Sequence, residues 1–176
     1  MESFHDYCSK NKKTVCTVES CTAGLLANKF TTFSGASKWF KGGLVVYTDE
    51  IKSKLLDIDI NEIKKNGAAS KLIVDKMCKK GLLKFEADIC IVISGFIEPS
   101  KKSGCFIGIA KNSKINDLTS AYKAASYAKV VSLQTYPVNN ITIVIYYLRL
   151  DGVTRYENQT KIVNHIITNS CNFCTL

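Results

Sequence analysis

Thr14-Val15-Cys16-Thr17-Val18-Glu19-Ser20-Cys21-Thr22-Ala23-Gly24-Leu25-Leu26-Ala27-Asn28-Lys29-Phe30 is the stretch on which the fold turns. Its first five residues are β-branched or apolar and read as a buried strand. The polar run Glu19–Gly24 follows at once, and Leu25–Phe30 then reads as a helix. The unit recurs. Gly42-Gly43 precedes a second strand, Leu44–Tyr47, followed by a helix over Asp49–Leu56 with Thr48 as its N-cap. A turn or two of helix is expected at Asp59–Lys65. A longer helix is expected at Ala69–Phe85, with Leu72, Ile73, Met77, Leu82 and Leu83 near helical spacing. Asp88–Ser94 is a continuous apolar strand buried on both faces. A polar loop, Gly95–Gly104, leads to a strand at Cys105–Ala110. A long strand at Ile141–Leu150 and an amphipathic helix at Tyr156–Asn169 complete the pattern, and residues 2–13 read as a short polar helix. Strands alternating with helices predict an α/β fold, a three-layer α/β/α sandwich around a mixed, largely buried β-sheet.

The chain has 176 residues, 46% hydrophobic and 22% charged. That is one domain's worth of sequence with ordinary globular composition, and it argues against a disordered tail or a coiled-coil rod. We expect one domain over 1–176, with an insertion at 111–140. That stretch is polar, carries a helical turn or two near Ser120–Tyr127, and contains Pro137. The longest apolar runs fall far short of the ~20 residues that span a bilayer. The first twenty residues are charged and lack an apolar signal region, so a cytoplasmic location is expected.

The net charge of +9 comes from lysine: arginine occurs only at Arg149 and Arg155. Base-reading proteins lean on the planar arginine fork, so the charge reads as a solvated surface and nucleic acid is not the expected partner. Eight cysteines sit mostly in apolar stretches, where a thiol behaves as a small hydrophobe. The C-x-x-C at Cys171–Cys174 has no second pair, and His5 and His165 are isolated. No metal site is expected.

Three strand ends carry polar groups. Glu19–Gly24 places hydroxyls at a helix N-terminus, where free N–H groups suit an anion or a developing oxyanion. The bland alternative is a helix cap, the commoner use of such residues. Two isolated histidines do not make a Ser-His-Asp set. A serine without histidine needs another base, and a buried lysine can serve when its neutral amine is populated. Lys52, after the second strand, is the candidate, and the alternative is an ordinary surface lysine. Ser94, where the most apolar strand stops, supplies a third hydroxyl. These residues alone force no reaction.

The string as a whole says more. Thr17–Leu25 resembles the T-A-E-S-C-T-G-G signature of the CinA C-terminal domain family, which includes stand-alone PncC-type nicotinamide-nucleotide amidases. Further blocks follow in order. Ser34-Gly35-Ala36-Ser37-Lys38-Trp39-Phe40 resembles P-G-S-S-x-x-F. Gly43–Lys52 resembles G-x-V-x-Y-S-N-E-x-K. Asn66-Gly67-Ala68-Ala69-Ser70 resembles H-G-A-V-S, and Ala87-Asp88 with Ile93-Ser94-Gly95 resembles A-D-x-A-x-x-x-[ST]-G. The likeness covers residues 14–110.

The resemblance implies a nicotinamide-nucleotide amidohydrolase that converts nicotinamide mononucleotide to nicotinate mononucleotide and ammonia. Ser20 falls on the family's nucleophile, Lys52 on its base, and Ser94 on the hydroxyl residue before the glycine; these three are the expected catalytic residues, and no metal or cofactor is needed. Glu19, Cys21, Thr22, Tyr47, Glu50, Gly95 and Arg155 are the expected substrate-binding residues. A homo-oligomer is also implied. The departures lie later in the chain. The family's I-A-G-P and glycine-rich loop is replaced by Gly95–Gly104, which is shorter and carries Glu98. The F-x-G-x-R-x-x-V-R motif survives only as Asp151–Glu157, where Arg155 stands for the first arginine and Gln159 lies near the place of the second. The charge narrows to one local question, whether Lys101, Lys102 and Arg155 gather at the strand ends to receive one phosphate. The alternative is a drifted, non-enzymatic nucleotide-binding or assembly protein of the same fold.

Overall fold

The computed structural model describes residues 4–112, 129–136 and 140–174. The opening strand is β1, Val15–Glu19, buried along its whole length. It lies between two parallel neighbours, β2 (Phe40–Val45) and β3 (Ile89–Phe96). Antiparallel strands β4 (Gly104–Asn112), β5 (Lys129–Tyr136) and β6 (Ile141–Arg149) extend the sheet, in the order β2-β1-β3-β4-β6-β5. The helices are α1 (Phe4–Lys10), α2 (Leu25–Thr31), α3 (Asp49–Leu56), α4 (Ile60–Asn66), α5 (Lys71–Phe85) and α6 (Arg155–Cys174). No helix among the described residues is long and apolar enough to cross a membrane.

The apolar run of β3 feeds both layers. Ile89, Ile91 and Ile93 pack with Phe4, Leu26, Phe30 and Ile162, from α1, α2 and α6. Cys90 and Val92 point the other way and pack with Leu56, Ile63, Val74 and Met77, from α3, α4 and α5. This two-face burial is why the strand reads as unbroken hydrophobic sequence rather than as an alternation. The sheet is mixed and the sandwich has three layers, as expected.

From β1 the chain moves one way to β2 through α2, then back past β1 to β3 through α3, α4 and α5. Right-handed crossovers run in opposite directions put their helices on opposite faces. Reversal at β1 leaves a crevice beyond the carboxyl ends of β1 and β3.

Several local expectations need correction. Gly42 and Gly43 lie inside β2 rather than before it. Gly43 faces Thr17, and a Cβ there would stand 2.1 Å from Thr17 Oγ1. The glycine therefore permits close strand approach instead of marking a turn. Tyr47 falls beyond the strand. α1 is amphipathic rather than polar, with Phe4, Tyr7 and Cys8 buried. On α5, Leu72 and Leu83 are 44% and 56% exposed. The buried stripe there is Ile73, Val74, Met77, Cys78, Gly81 and Leu82. α6 continues through Cys174, past the expected end. The stretch 111–140 contributes β5, an edge strand paired with β6. The helical turns expected near Ser120–Tyr127 lie outside the described residues.

α5 meets the sheet through Gly81, where a Cβ would come within 2.7 Å of both Cys90 Sγ and Val18 Cγ2. Gly81→Ala gains roughly 1 kcal/mol of helix propensity but forces overpacking that costs about 1–3 kcal/mol. The variant is expected to be less stable by about 1 kcal/mol in urea denaturation.

Candidate functional site

Strand alternation divides Glu19 from Ser20. Cys16 and Val18 face α5, so Ser20 continues that row while Glu19 turns toward α2. Glu19 is 1% exposed. Its carboxylate accepts the Thr22 hydroxyl at 2.7 Å and the N–H groups of Gly24 at 3.1 Å, Leu26 at 3.1 Å and Ala27 at 2.8 Å. The N–H groups expected to hold a substrate oxyanion are therefore already used, by a carboxylate of the chain itself. Ser20 is tied to the sheet by its own N–H, which donates to Ile93 O at 2.9 Å. The turn from Ser20 ends in two left-handed residues, Ala23 (φ 51) and Gly24 (φ 93). Within it, Thr22 N–H finds no acceptor among the described residues, and Cys21 N–H is directed at its own thiol.

Lys52 comes from the opposite layer. Thr48 caps α3 by accepting from Ile51 N–H, which fixes Lys52 in the first turn. Helical side chains lean back toward the N-terminus. Lys52 Nζ thus reaches Val46 O at 2.9 Å and Ser20 Oγ at 3.5 Å. Lys52 is 0% exposed. Burial holds its ammonium below the ordinary lysine range, and the Asp49 carboxylate partly opposes that shift. Burial also pushes the Cys21 thiol up to about 12. The hydroxyl of Ser20 is therefore the nucleophile candidate, and its neighbour is an inert neutral thiol. Ser94 Oγ donates to Ala68 O at 2.9 Å, tying the end of β3 to the loop before α5.

These groups border a cleft of about 560 Å³ whose wall includes Ser20, Cys21, Tyr47, Asp49, Lys52, Ser94, Gly95, Phe96, Glu98, Lys102 and Arg155. Its outer rim is built by α6. Thr154 and Glu157 form a reciprocal cap: Glu157 N–H donates to Thr154 Oγ1 at 3.1 Å, and Glu157 Oε2 accepts Thr154 N–H at 3.2 Å. This cap makes Arg155 the first helical residue. Its guanidinium donates to Glu98 Oε1 and, at 2.9 Å, to the Tyr47 hydroxyl. Asn158 Nδ2 donates to Ile97 O at 2.9 Å, and Gln159 Nε2 to Cys21 O at 2.9 Å. Among the described residues, no group of three His, Cys, Asp or Glu side chains is placed to hold a metal ion.

The model of the CinA C-terminal domain matches residues 1–132. The chain belongs to the CinA C-terminal domain family. Relatives named CinA-like protein agree with it. One from Colwellia psychrerythraea is 33% identical over 86% of this chain and 34% of its own length. One from Prochlorococcus marinus is 33% identical over 74% of this chain and 32% of its own. Each match thus spans about a third of the relative. Among solved structures, a competence or damage-inducible protein from Enterobacter asburiae superposes with a TM-score of 0.73 at 17% identity, covering 96% of this chain and 92% of that one. A competence-damaged protein (CinA) superfamily protein from Escherichia coli gives 0.72 at 16% identity, covering 96% and 85%. These two likenesses concern the fold.

In this CinA C-terminal domain, Ser20, Cys21, Tyr47, Lys52, Ser94, Gly95 and Arg155 surround one cleft, where the sequence pattern put them. Glu19 and Thr22 do not line it. They lie beneath the turn and hold it in shape. Glu50 stands outside the cleft, its carboxyl held below the usual range by its own backbone N–H and by Thr48. Lys102 borders the cleft, whereas Lys101 is not on its wall. Asp49, beside Lys52, escaped the sequence reading. The clamp by Asn158 and Gln159 escaped it too, although Thr154-x-x-Glu157 is a legible capping signal.

Glu19→Ala strands the buried N–H of Leu26 and the part-buried N–H groups of Gly24 and Ala27 and is expected to cost about 3 kcal/mol in chemical denaturation. Ala23→Gly, relieving a left-handed alanine, is expected to add about 0.5–1 kcal/mol in the same measurement.

Proposed function

We propose that the chain is an amidohydrolase that converts nicotinamide mononucleotide to nicotinate mononucleotide and ammonia through a Ser20–Lys52 dyad. The observation that carries this reading is the buried Lys52 Nζ, 3.5 Å from Ser20 Oγ in an open cleft. Catalytic contacts of this kind are often long without substrate. In the reading, neutral Lys52 takes the Ser20 proton as Oγ attacks the carboxamide carbon. The carbonyl oxygen becomes an oxyanion beside the N–H of Cys21, which borders the cleft and among the described residues has only its own weakly accepting thiol as partner. Lys52 then gives its proton to the nitrogen as the C–N bond breaks, and ammonia leaves. Water, with Lys52 again as base, hydrolyses the acyl-serine to the carboxylate. Ser94 takes no proton in this scheme, since its own is directed to Ala68 O. Its part is to shape the wall beside Ser20, its neighbour across the β1–β3 pairing.

A second reading, a nucleotide-binding protein without turnover, draws on one observation: Arg155 is engaged by Glu98 and Tyr47.

Ammonia release from nicotinamide mononucleotide separates the two. Ser20→Ala is expected to abolish release, and Lys52→Met to lower kcat by about 10²–10⁴-fold. Absence of serine-dependent release from the wild type, with the nucleotide bound, would establish the second reading instead.

The base must be neutral to work, so the rate is expected to rise with pH. Because burial lowers the Lys52 pKa from 10.5, the midpoint of that rise should lie below 10.5. Asp49 favours the ammonium, so Asp49→Asn is expected to move the midpoint further down. A midpoint unmoved or moved upward in the pH–rate profile would remove Lys52 from the role of base.

A further inference from the structure

The outer end of the cleft carries a carboxylate where an anion would have to sit. Arg155 is the arginine on the wall. One of its nitrogens is taken by Glu98 Oε1 and another by the Tyr47 hydroxyl. The fork that would grip a phosphate in two places is thus already engaged. Glu98 is held at this spot by its loop. The hydroxyl of Ser103 donates to Glu98 O and accepts Ser100 N–H at 2.9 Å, and Leu150 N–H donates to Ser103 O at 3.1 Å.

The charges on the wall cancel. Asp49 and Glu98 face Lys102 and Arg155, and Lys52 is neutral in its acting form. A phosphate approaching Arg155 would displace Glu98 yet keep it as a close neighbour of like sign. A ribose hydroxyl pays no such penalty. It can accept from the guanidinium and donate to the carboxylate at once.

We infer that Glu98 is a specificity determinant: by engaging Arg155 it turns the outer end of the cleft from phosphate recognition toward ribosyl carboxamides that lack the phosphate. The inference rests on the amidohydrolase reading for the position of the carboxamide, at Ser20. It assigns the other end of the substrate. Nicotinamide riboside, which lacks the phosphate, is accepted at least as well as the mononucleotide.

The test uses binding and turnover separately. Nicotinamide mononucleotide and nicotinamide riboside are titrated calorimetrically into Ser20→Ala protein and into Ser20→Ala/Glu98→Gln protein. Their kcat/KM values are measured with wild type and with Glu98→Gln. The mononucleotide is expected to bind no tighter than the riboside with Glu98 present. Its affinity and kcat/KM, relative to the riboside, are expected to rise about tenfold in Glu98→Gln, close to the size of one like-charge contact screened by water, as befits the exposed Glu98 side chain. Glu98→Asp keeps the charge and is expected to keep the wild-type ratio, which a merely structural role would not require. Tenfold tighter binding of the mononucleotide to Ser20→Ala protein overturns the inference, and so does a ratio unmoved by Glu98→Gln. Selective binding of the riboside without turnover overturns the amidohydrolase reading alone. Binding of neither ligand overturns both.

Discussion

The site is organised around a single buried carboxylate. Glu19 ends β1, faces away from the cleft, and collects one hydroxyl and three backbone N–H groups at the start of α2. Burying a charge is tolerable only when its lone pairs are met by donors, and here the donors come from a turn and a helix that need an anion. The constraint works in both directions. The helix start satisfies the charge, and the charge fixes the turn that follows Ser20. Because strand residues alternate sides, holding Glu19 on the α2 side leaves Ser20 on the side of Lys52. The geometry of Ser20 is thus set from the opposite face of the sheet.

Lys52 shows the complementary strategy. It is as buried as Glu19 but has one carbonyl, Val46 O, as its close partner, with Ser20 Oγ farther off. A lysine so poorly supplied with acceptors is pushed toward the neutral amine. Glu19 is saturated with partners and serves structure. Lys52 is undersupplied and left reactive. Asp49 moderates that reactivity, since its charge supports the ammonium.

Much of the fold was legible because local and long-range signals agreed. Thr48 caps α3 and the apolar run of β3 is buried on both faces, as their residue types suggest. Ser20, Lys52 and Ser94 were visible as polar groups at strand ends, which is where an α/β crevice forms. The failures have physical causes. Gly42-Gly43 looked like punctuation, but a glycine needed for close approach to Thr17 is indistinguishable from a turn glycine in one dimension. Leu72 and Leu83 satisfied an approximate helical spacing while lying on the outer side of α5. β5 was missed because its sequence carries no turn or capping signal that sets it apart from the polar stretch around it, and only its pairing with β6 at the sheet edge reveals it. The role of Glu19 was misread because its partners, the helix N–H groups, were assigned to a substrate. Gln159 acts on a partner 138 residues away that no local pattern names, whereas Asp49 acts on Lys52 within the same helix and was overlooked.

The α6 clamp also bears on the order in which the molecule assembles. Arg155 reaches across 108 residues to Tyr47, and Gln159 across 138 residues to Cys21. Contacts between such distant residues form only after the intervening chain has been ordered, since loop closure must be met before they return any energy. The parallel unit of β1, β2 and β3 can pair before α6 arrives, but the rim of the cleft cannot exist without it. A folding intermediate holding the sheet but not the helix would carry Ser20 and Lys52 side by side with no closed pocket above them. Competence at this site is therefore tied to completion of the fold, and does not grow in step with the amount of native structure.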